Sequence, residues 1–214
     1  MYAVKEAFYT LQGEGARSGR AAVFCRFTGC NLWSGREKDR ERSICRFCDT
    51  DFVGTDGQNG GRFRTAQALG EHIDRLWPSR AAGVVPYVVF TGGEPLLQLD
   101  TALIEEMHAR GFEIAVETNG TLAPPAGIDW LCVSPKGASQ LAVSGGDEIK
   151  LVYPQLEAPP ERFEALGFTH FFLQAMDLAP RGGQGDTLKE TLEYCMRHPR
   201  WRLSLQMHKI VGID

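Results

Sequence analysis

With 214 residues, 43% of them hydrophobic and 23% charged, the chain has enough apolar material for a substantial core and reads as globular rather than disordered or fibrous. A formal net charge of -4 supplies no general attraction for a polyanion, so a small polar substrate is expected and a nucleic-acid partner is not. The longest strongly apolar run, Val84 to Phe90, contains Pro86 and falls far short of the roughly 20 residues needed to span a bilayer, so no membrane association is expected.

Alternation over Tyr2 to Phe8 predicts a first strand. The charges within Met1 to Phe8 make this segment unlike a signal peptide, and the cytoplasm is the expected compartment. A Gly-rich turn from Gly13 to Gly19 leads to a second strand, Ala22 to Phe27, which runs directly towards Cys30. The span Ser34 to Arg46 is crowded with charge and Thr55 to Gly61 is rich in glycine. Residues 28–64 therefore read as an elaborated loop inside a single domain covering 1–214.

After Thr65 the elements become regular. Leu69, Ile73, Leu76 and Trp77 recur at helical spacing and predict a helix over Ala66 to Trp77, ended by Pro78. Val84 to Thr91 follows as a buried strand, and Leu99 to Arg110 as a helix capped by Gly111. Further strands are predicted at Glu113 to Glu117, Trp130 to Val133, Glu148 to Val152, Thr169 to Leu173 and Arg202 to Gln206. One more helix is predicted at Thr187 to Met196. The links between Thr118 and Trp130 and between Lys136 and Glu148 are too short and too broken by Gly or Pro for full helices. The expected fold is thus α/β, a partial or irregular β/α barrel with a mostly parallel sheet and an elaborated loop.

Six cysteines divide into two groups. Cys25, Cys132 and Cys195 stand among apolar or helical neighbours, as core thiols do. Cys30, Cys45 and Cys48 stand in polar, Gly-rich surroundings, and the two-residue gap in Cys45-Arg-Phe-Cys48 lets one turn of chain offer two thiolates to a metal. Spacing alone leaves zinc, completed by Asp49, a His or water, and an iron-sulfur cluster equally open. Four polar clusters, Thr91-Gly-Gly-Glu-Pro95, Glu117-Thr-Asn-Gly120, Ser134-Pro-Lys136 and Gln174-Ala-Met-Asp177, each follow a predicted strand, so they should converge on one rim. An interaction module with a basic face at Arg36, Lys38, Arg40, Arg42 and Arg46 is the competing reading. Glu37, Asp39 and Glu41 interrupt that face, as in a solvated mixed-charge loop.

Cys30, Cys45 and Cys48 followed by Thr91-Gly-Gly-Glu-Pro95 resemble the radical S-adenosylmethionine superfamily, although the first cysteine gap is fourteen residues instead of the usual three. That departure is similar to one subfamily, the 7-carboxy-7-deazaguanine synthases. The likeness extends through Phe8-Tyr-Thr-Leu-Gln-Gly-Glu-Gly15, Val23-Phe-Cys-Arg-Phe27, Gly29-Cys-Asn-Leu-Trp33, Cys45-Arg-Phe-Cys-Asp-Thr-Asp51 and Gln206-Met-His-Lys209. A radical activase of a partner protein shares the cysteines and the Gly-Gly-Glu-Pro stretch but accounts less well for Gln12, Arg26 and the His208-Lys209 ending.

The resemblance implies a four-iron, four-sulfur cluster on Cys30, Cys45 and Cys48, with S-adenosylmethionine on the iron they leave free. It implies cofactor contacts at Phe47, Cys48, Asp49, Gly93, Glu94, Ser134, Pro135, Lys136, Gln174, Ala175, Met176 and Asp177, with Ala175 standing where family members often have Pro. It implies substrate contacts at Leu11, Gln12, Gly13, Glu14, Arg26, Thr91, His208 and Asp214, and a Mg2+ contact at Thr50. The implied substrate is 6-carboxy-5,6,7,8-tetrahydropterin. A radical would remove hydrogen from its C6, ring contraction and hydrogen return would follow, and loss of ammonia would give 7-carboxy-7-deazaguanine with the S-adenosylmethionine regenerated. A flavodoxin or ferredoxin electron donor and a homodimer belong to the same expectation.

Overall fold

The computed structural model describes residues 1–78, 82–178 and 185–213. Strands β1 (Tyr2–Leu11) and β2 (Ala21–Phe27) are followed by β3 (Gly61–Phe63), α1 (Ala66–Leu76), β4 (Tyr87–Gly92), α2 (Thr101–Ala109), β5 (Glu113–Thr118) and β6 (Trp130–Val133). The chain then forms β7 (Gly145–Tyr153), β8 (Gly167–Ala175), α3 (Thr187–Arg197), β9 (Arg202–Ser204) and the short α4 (Met207–Val211). One nine-stranded sheet results, ordered β3-β1-β2-β4-β5-β6-β7-β8-β9. From β2 through β4 to β9 every neighbouring pair is parallel, whereas β1 runs antiparallel to both β2 and β3. The sheet is open, as the partial-barrel expectation requires.

Alternation within each strand separates the two faces. Val23, Cys25, Phe27, Val88, Phe90, Ile114 and Val116 point outward and are fully buried against Leu69 and Ile73 of α1 and Leu103, Ile104 and Met107 of α2. Further along, Val133, Ile149, Leu151, Phe171 and Leu173 pack with Tyr194 of α3 and with Trp201. Burying each such aliphatic or aromatic side chain is worth about 1.5–3 kcal/mol, so this helical layer fixes the sheet's shape and leaves its inner face for polar groups.

Helix starts follow local chemistry. Thr65 Oγ1 accepts from the Ala68 N–H at 3.1 Å and opens α1. Asp100 accepts from the Leu103 N–H at 3.0 Å and opens α2 two residues after the predicted start, because Leu99 still belongs to the turn beyond β4. Asp186 caps α3 through the Lys189 N–H at 2.9 Å. Pro86 lacks a backbone donor, and the strand predicted from Val84 begins only at Tyr87, with Val84 and Val85 exposed. The last predicted strand stops at Ser204, and Gln206 instead precedes α4. The links between β5 and β6 and between β6 and β7 contain no helix, as expected.

The β1–β2 connection folds under the inner face. Arg17 and Arg20 place their guanidinium carbons 4.3 Å from the Trp130 ring centroid and 3.8 Å from that of Tyr87. Both also pair with Glu113, at 3.0 and 2.5 Å. Tyr87, Glu113 and Trp130 are the first residues of β4, β5 and β6, so this hairpin plugs the N-terminal end of the sheet. The C-terminal strand ends remain open.

Candidate functional site

At those open ends lies a cavity of about 410 Å³. Leu11, Gln12, Gly13 and Glu14 enter it from β1 and the hairpin, Arg26 from β2, and Thr91 and Gly93 from the end of β4. The loop after β2 adds Cys30, Cys45, Phe47, Cys48, Asp49 and Thr50. Ser134, Lys136, Gln174, Ala175, Met176, Asp177 and His208 complete the expected set. Groups separated by nearly two hundred residues thus share one chamber. Two expected residues do not line it: Glu94 and Pro135 are buried in the wall behind. Asp214 lies outside the described residues.

Glu94 has a definite task in that wall. Its Oε1 accepts from Thr118 Oγ1 at 2.7 Å and the Leu96 N–H at 3.0 Å, and its Oε2 from the Asn119 N–H at 2.8 Å. Burial pushes its carboxyl upward while these three donors oppose the shift. The side chain staples the end of β4 to that of β5. Gly93 explains the other side of this joint: a Cβ there would come within 2.1 Å of the Gly29 carbonyl oxygen and 2.8 Å of Cys30 Cβ. The glycine lets β4 approach the segment carrying Cys30.

The cysteine loop is held from several sides. Arg40 lies 4.1 Å over the Trp33 ring and donates to the carbonyls of Arg46 and Cys48, each at 3.0 Å, so one of the five basic residues in this loop is turned inward. Lys5 of β1 binds Asp51 and Asp56 at 2.9 Å and the Val53 carbonyl at 3.0 Å. Asn119 Nδ2 donates to Asn31 Oδ1 at 2.9 Å beside Cys30. Cys30 Sγ accepts from the Leu32 N–H at 3.4 Å. The Cys45 thiol, hydrogen-bonded to Cys48, draws the latter down to about 6 against the effect of burial, with the Lys136 ammonium assisting.

The floor carries a charge that sequence reasoning did not assign, Lys150, between the expected Glu14 and Glu117 of a strand-end cluster. Lys150 of β7 reaches Glu14 Oε2 at 2.5 Å and Glu117 Oε1 at 3.2 Å, and Gln12 Nε2 donates to the same Glu117 oxygen at 3.1 Å. Gln206 Nε2 donates to Glu14 Oε1 at 2.9 Å. Burial raises the Glu14 carboxyl, and Lys150 more than reverses this, holding it at about 2. Lys150 itself, destabilised by burial, is driven upward by Glu117 and Glu14. The available signal was charge at Glu148 and Lys150, two residues apart and so on one face, in a strand whose following residues are apolar.

The Radical SAM superfamily description matches residues 40–199. Curated proteins named 7-carboxy-7-deazaguanine synthase from Bordetella pertussis and Bradyrhizobium diazoefficiens are each 60% identical to this chain over 99% of both sequences. The chain belongs to the 7-carboxy-7-deazaguanine synthases of the radical SAM superfamily. A synthase of that name from Bacteroides thetaiotaomicron is 38% identical over all of this chain and 99% of its own. The crystal structure of QueE from Escherichia coli superposes with a TM-score of 0.69 at 25% identity, covering 97% of this chain and 94% of that one.

The superfamily implies a four-iron, four-sulfur cluster and S-adenosylmethionine. The chamber's donor set fits both. Three thiols line one cavity, as a cluster needs, since each thiolate bonds a different iron. Gln174 Oε1 is buried at the cavity without a hydrogen-bond partner among the described residues, an acceptor available to a polar cofactor. No helix among the described residues is long and apolar enough to cross a membrane.

Proposed function

We propose that this synthase converts 6-carboxy-5,6,7,8-tetrahydropterin to 7-carboxy-7-deazaguanine and ammonia by radical ring contraction, using S-adenosylmethionine catalytically. The observation that carries the reading is the end-to-end 60% identity with proteins named for that product. The chamber supports it by bringing three thiols, Arg26 and Glu14 to one cavity.

In this reading Cys30, Cys45 and Cys48 would hold the cluster, leaving one iron without a protein ligand. When bound, cluster and S-adenosylmethionine supply one-electron reductive chemistry and a hydrogen-abstracting radical. Phe47, Cys48, Asp49 and Gly93 border the cofactor from the loop and β4. Ser134 and Lys136, joined at 2.6 Å, and Gln174 offer hydrogen bonds from the opposite strand ends. Met176 offers an apolar surface for adenine, and Asp177 a carboxylate. Glu94 serves the cofactor indirectly by fixing Gly93, and Pro135 by shaping the backbone between Ser134 and Lys136.

Arg26 is held at 2.8 Å by Glu6 through its Nε, which leaves the paired terminal nitrogens to receive the substrate carboxylate. Leu11, Gln12, Gly13, Glu14, Thr91 and His208 would surround the heterocycle, with Asp214 a further candidate contact. Thr50 offers an oxygen to Mg2+, a hard ion suited to oxygen donors, which would hold the same carboxylate. A flavodoxin or ferredoxin donor, a homodimer, a single catalytic domain and a cytoplasmic location complete the proposal.

Anaerobic reconstitution followed by metal analysis and electron paramagnetic resonance is expected to give a reducible four-iron cluster in the wild type and its loss in Cys45→Ala. With carboxylated pterin, dithionite, Mg2+ and S-adenosylmethionine, mass spectrometry should detect the deazapurine from the wild type alone. Stoichiometric zinc without a reducible cluster, or turnover by the cluster-free variant, would reject the assignment.

A further inference from the structure

We propose that Lys150 is a positioning residue that fixes Glu14 and Glu117 as a pair of hydrogen-bond acceptors on the cavity floor, and through them decides which edge of the heterocycle faces down. The inference rests on the carboxylated-pterin reading and extends it to a side chain outside the expected site.

The geometry is that of a hub. The Lys150 side chain is 6% exposed, and its ammonium bridges a carboxylate of the hairpin turn to one of β5. These partners are 136 and 33 residues away in sequence. Glu14 spends both oxygens on protein donors, Lys150 and Gln206. Glu117 uses Oε1 alone, for Gln12 and Lys150, so its Oε2 has no partner among the described residues although the side chain lines the cavity. A partly buried carboxylate oxygen left this way suits an N–H donor on a ligand.

The same cavity is also lined by Arg26, which supplies the opposite sign. A pterin has the matching polarity, with N–H donors on its amino-pyrimidinone edge and, in this substrate, a carboxylate at the other end. Acceptors on the floor and a guanidinium on the wall would bind it in one orientation only. Two carboxylates alone would repel each other and one would take up a proton, becoming a donor where an acceptor is needed. Lys150 prevents this. The other titratable groups facing the hub are Cys132 of β6, Glu148 of β7 and His208 of α4; the first two are buried and none replaces the ammonium's two hydrogen bonds.

The test is anaerobic calorimetry on the reconstituted enzyme with S-adenosylmethionine, using the carboxylated tetrahydropterin and its analogue lacking the 2-amino group. Wild type is expected to prefer the amino compound by about 10- to 100-fold, the range for hydrogen bonds to charged groups, with little change between about pH 5.5 and 8. Lys150→Met should lose most of that preference, and its affinity should weaken as pH falls across the same interval, because burial of Glu14 then has only Gln206 and His208 against it. Lys150→Arg, which keeps the charge, should stay flat with pH. The double variant Glu14→Gln/Lys150→Met removes the ion pair together and should also lose the preference, so misfolding of the single variant does not shelter the idea. A folded, cluster-loaded Lys150→Met, or the double variant, that retains tenfold discrimination overturns the inference alone. Failure of the wild type to bind the carboxylated pterin overturns the functional reading and the inference with it.

Discussion

At the scale of single residues, positions that look equivalent in sequence divide into groups that face the chamber and groups that hold it. Within Thr91-Gly-Gly-Glu-Pro95, Thr91 lines the cavity whereas Glu94 is fully buried behind it and serves three donors. Replacing Glu94 by Ala would strand the N–H groups of Leu96 and Asn119 and the Thr118 hydroxyl, at about 1–3 kcal/mol for each that finds no other partner. We expect urea unfolding of Glu94→Ala to show a loss of several kcal/mol, on the order of two such groups, and Glu94→Gln to recover part of it. A stability equal to wild type would show that the staple does not hold the strand ends together.

At the scale of elements, the β1–β2 hairpin joins the plug to the site, since the turn that carries the half-buried Arg17 and Arg20 also carries Gln12 and Glu14. Its tip is tied across the sheet by the Ala16 N–H on Glu148 at 2.7 Å, the Gly15 N–H on Ser204 at 3.0 Å and the Met207 N–H on the Gly13 carbonyl at 2.9 Å. Removing both guanidiniums should cost about 1–3 kcal/mol and speed amide hydrogen exchange across residues 12–20, with the sheet core protected as before. Unchanged exchange in the turn would count against the plug. Much of this architecture was legible in sequence because regular alternation and caps are local: α1, α3 and β6 stand within a residue of where their patterns place them. The rest depended on partners far along the chain. Gly61–Phe63 has no strand signature of its own and is a strand only because it pairs with Tyr2 to Val4. The fold of the cysteine loop likewise depends on Lys5 of the first strand.

For the molecule as a whole, sheet topology does the assembling. Because β2 and β4 to β9 run in parallel, the residues after each strand arrive at one end, and the strand-end motifs visible in sequence were readable as one rim. What the motifs did not reveal was the floor, as Lys150 meets Glu14 and Glu117 only once the sheet curves and the hairpin crosses it. An outer helical layer, a plugged N-terminal end and an open C-terminal end together give a chamber lined by thiols, carboxylates and Arg26. The central claim is that this chamber takes a hydrogen from the substrate and returns one during ring contraction. The most direct test is anaerobic turnover of carboxylated tetrahydropterin bearing deuterium at C6, followed by mass spectrometry of product and cofactor. The account predicts deazapurine in excess of the S-adenosylmethionine supplied, with deuterium appearing in recovered S-adenosylmethionine. Accumulation of 5'-deoxyadenosine without deazapurine, or deazapurine formed with no deuterium reaching the cofactor, would contradict it.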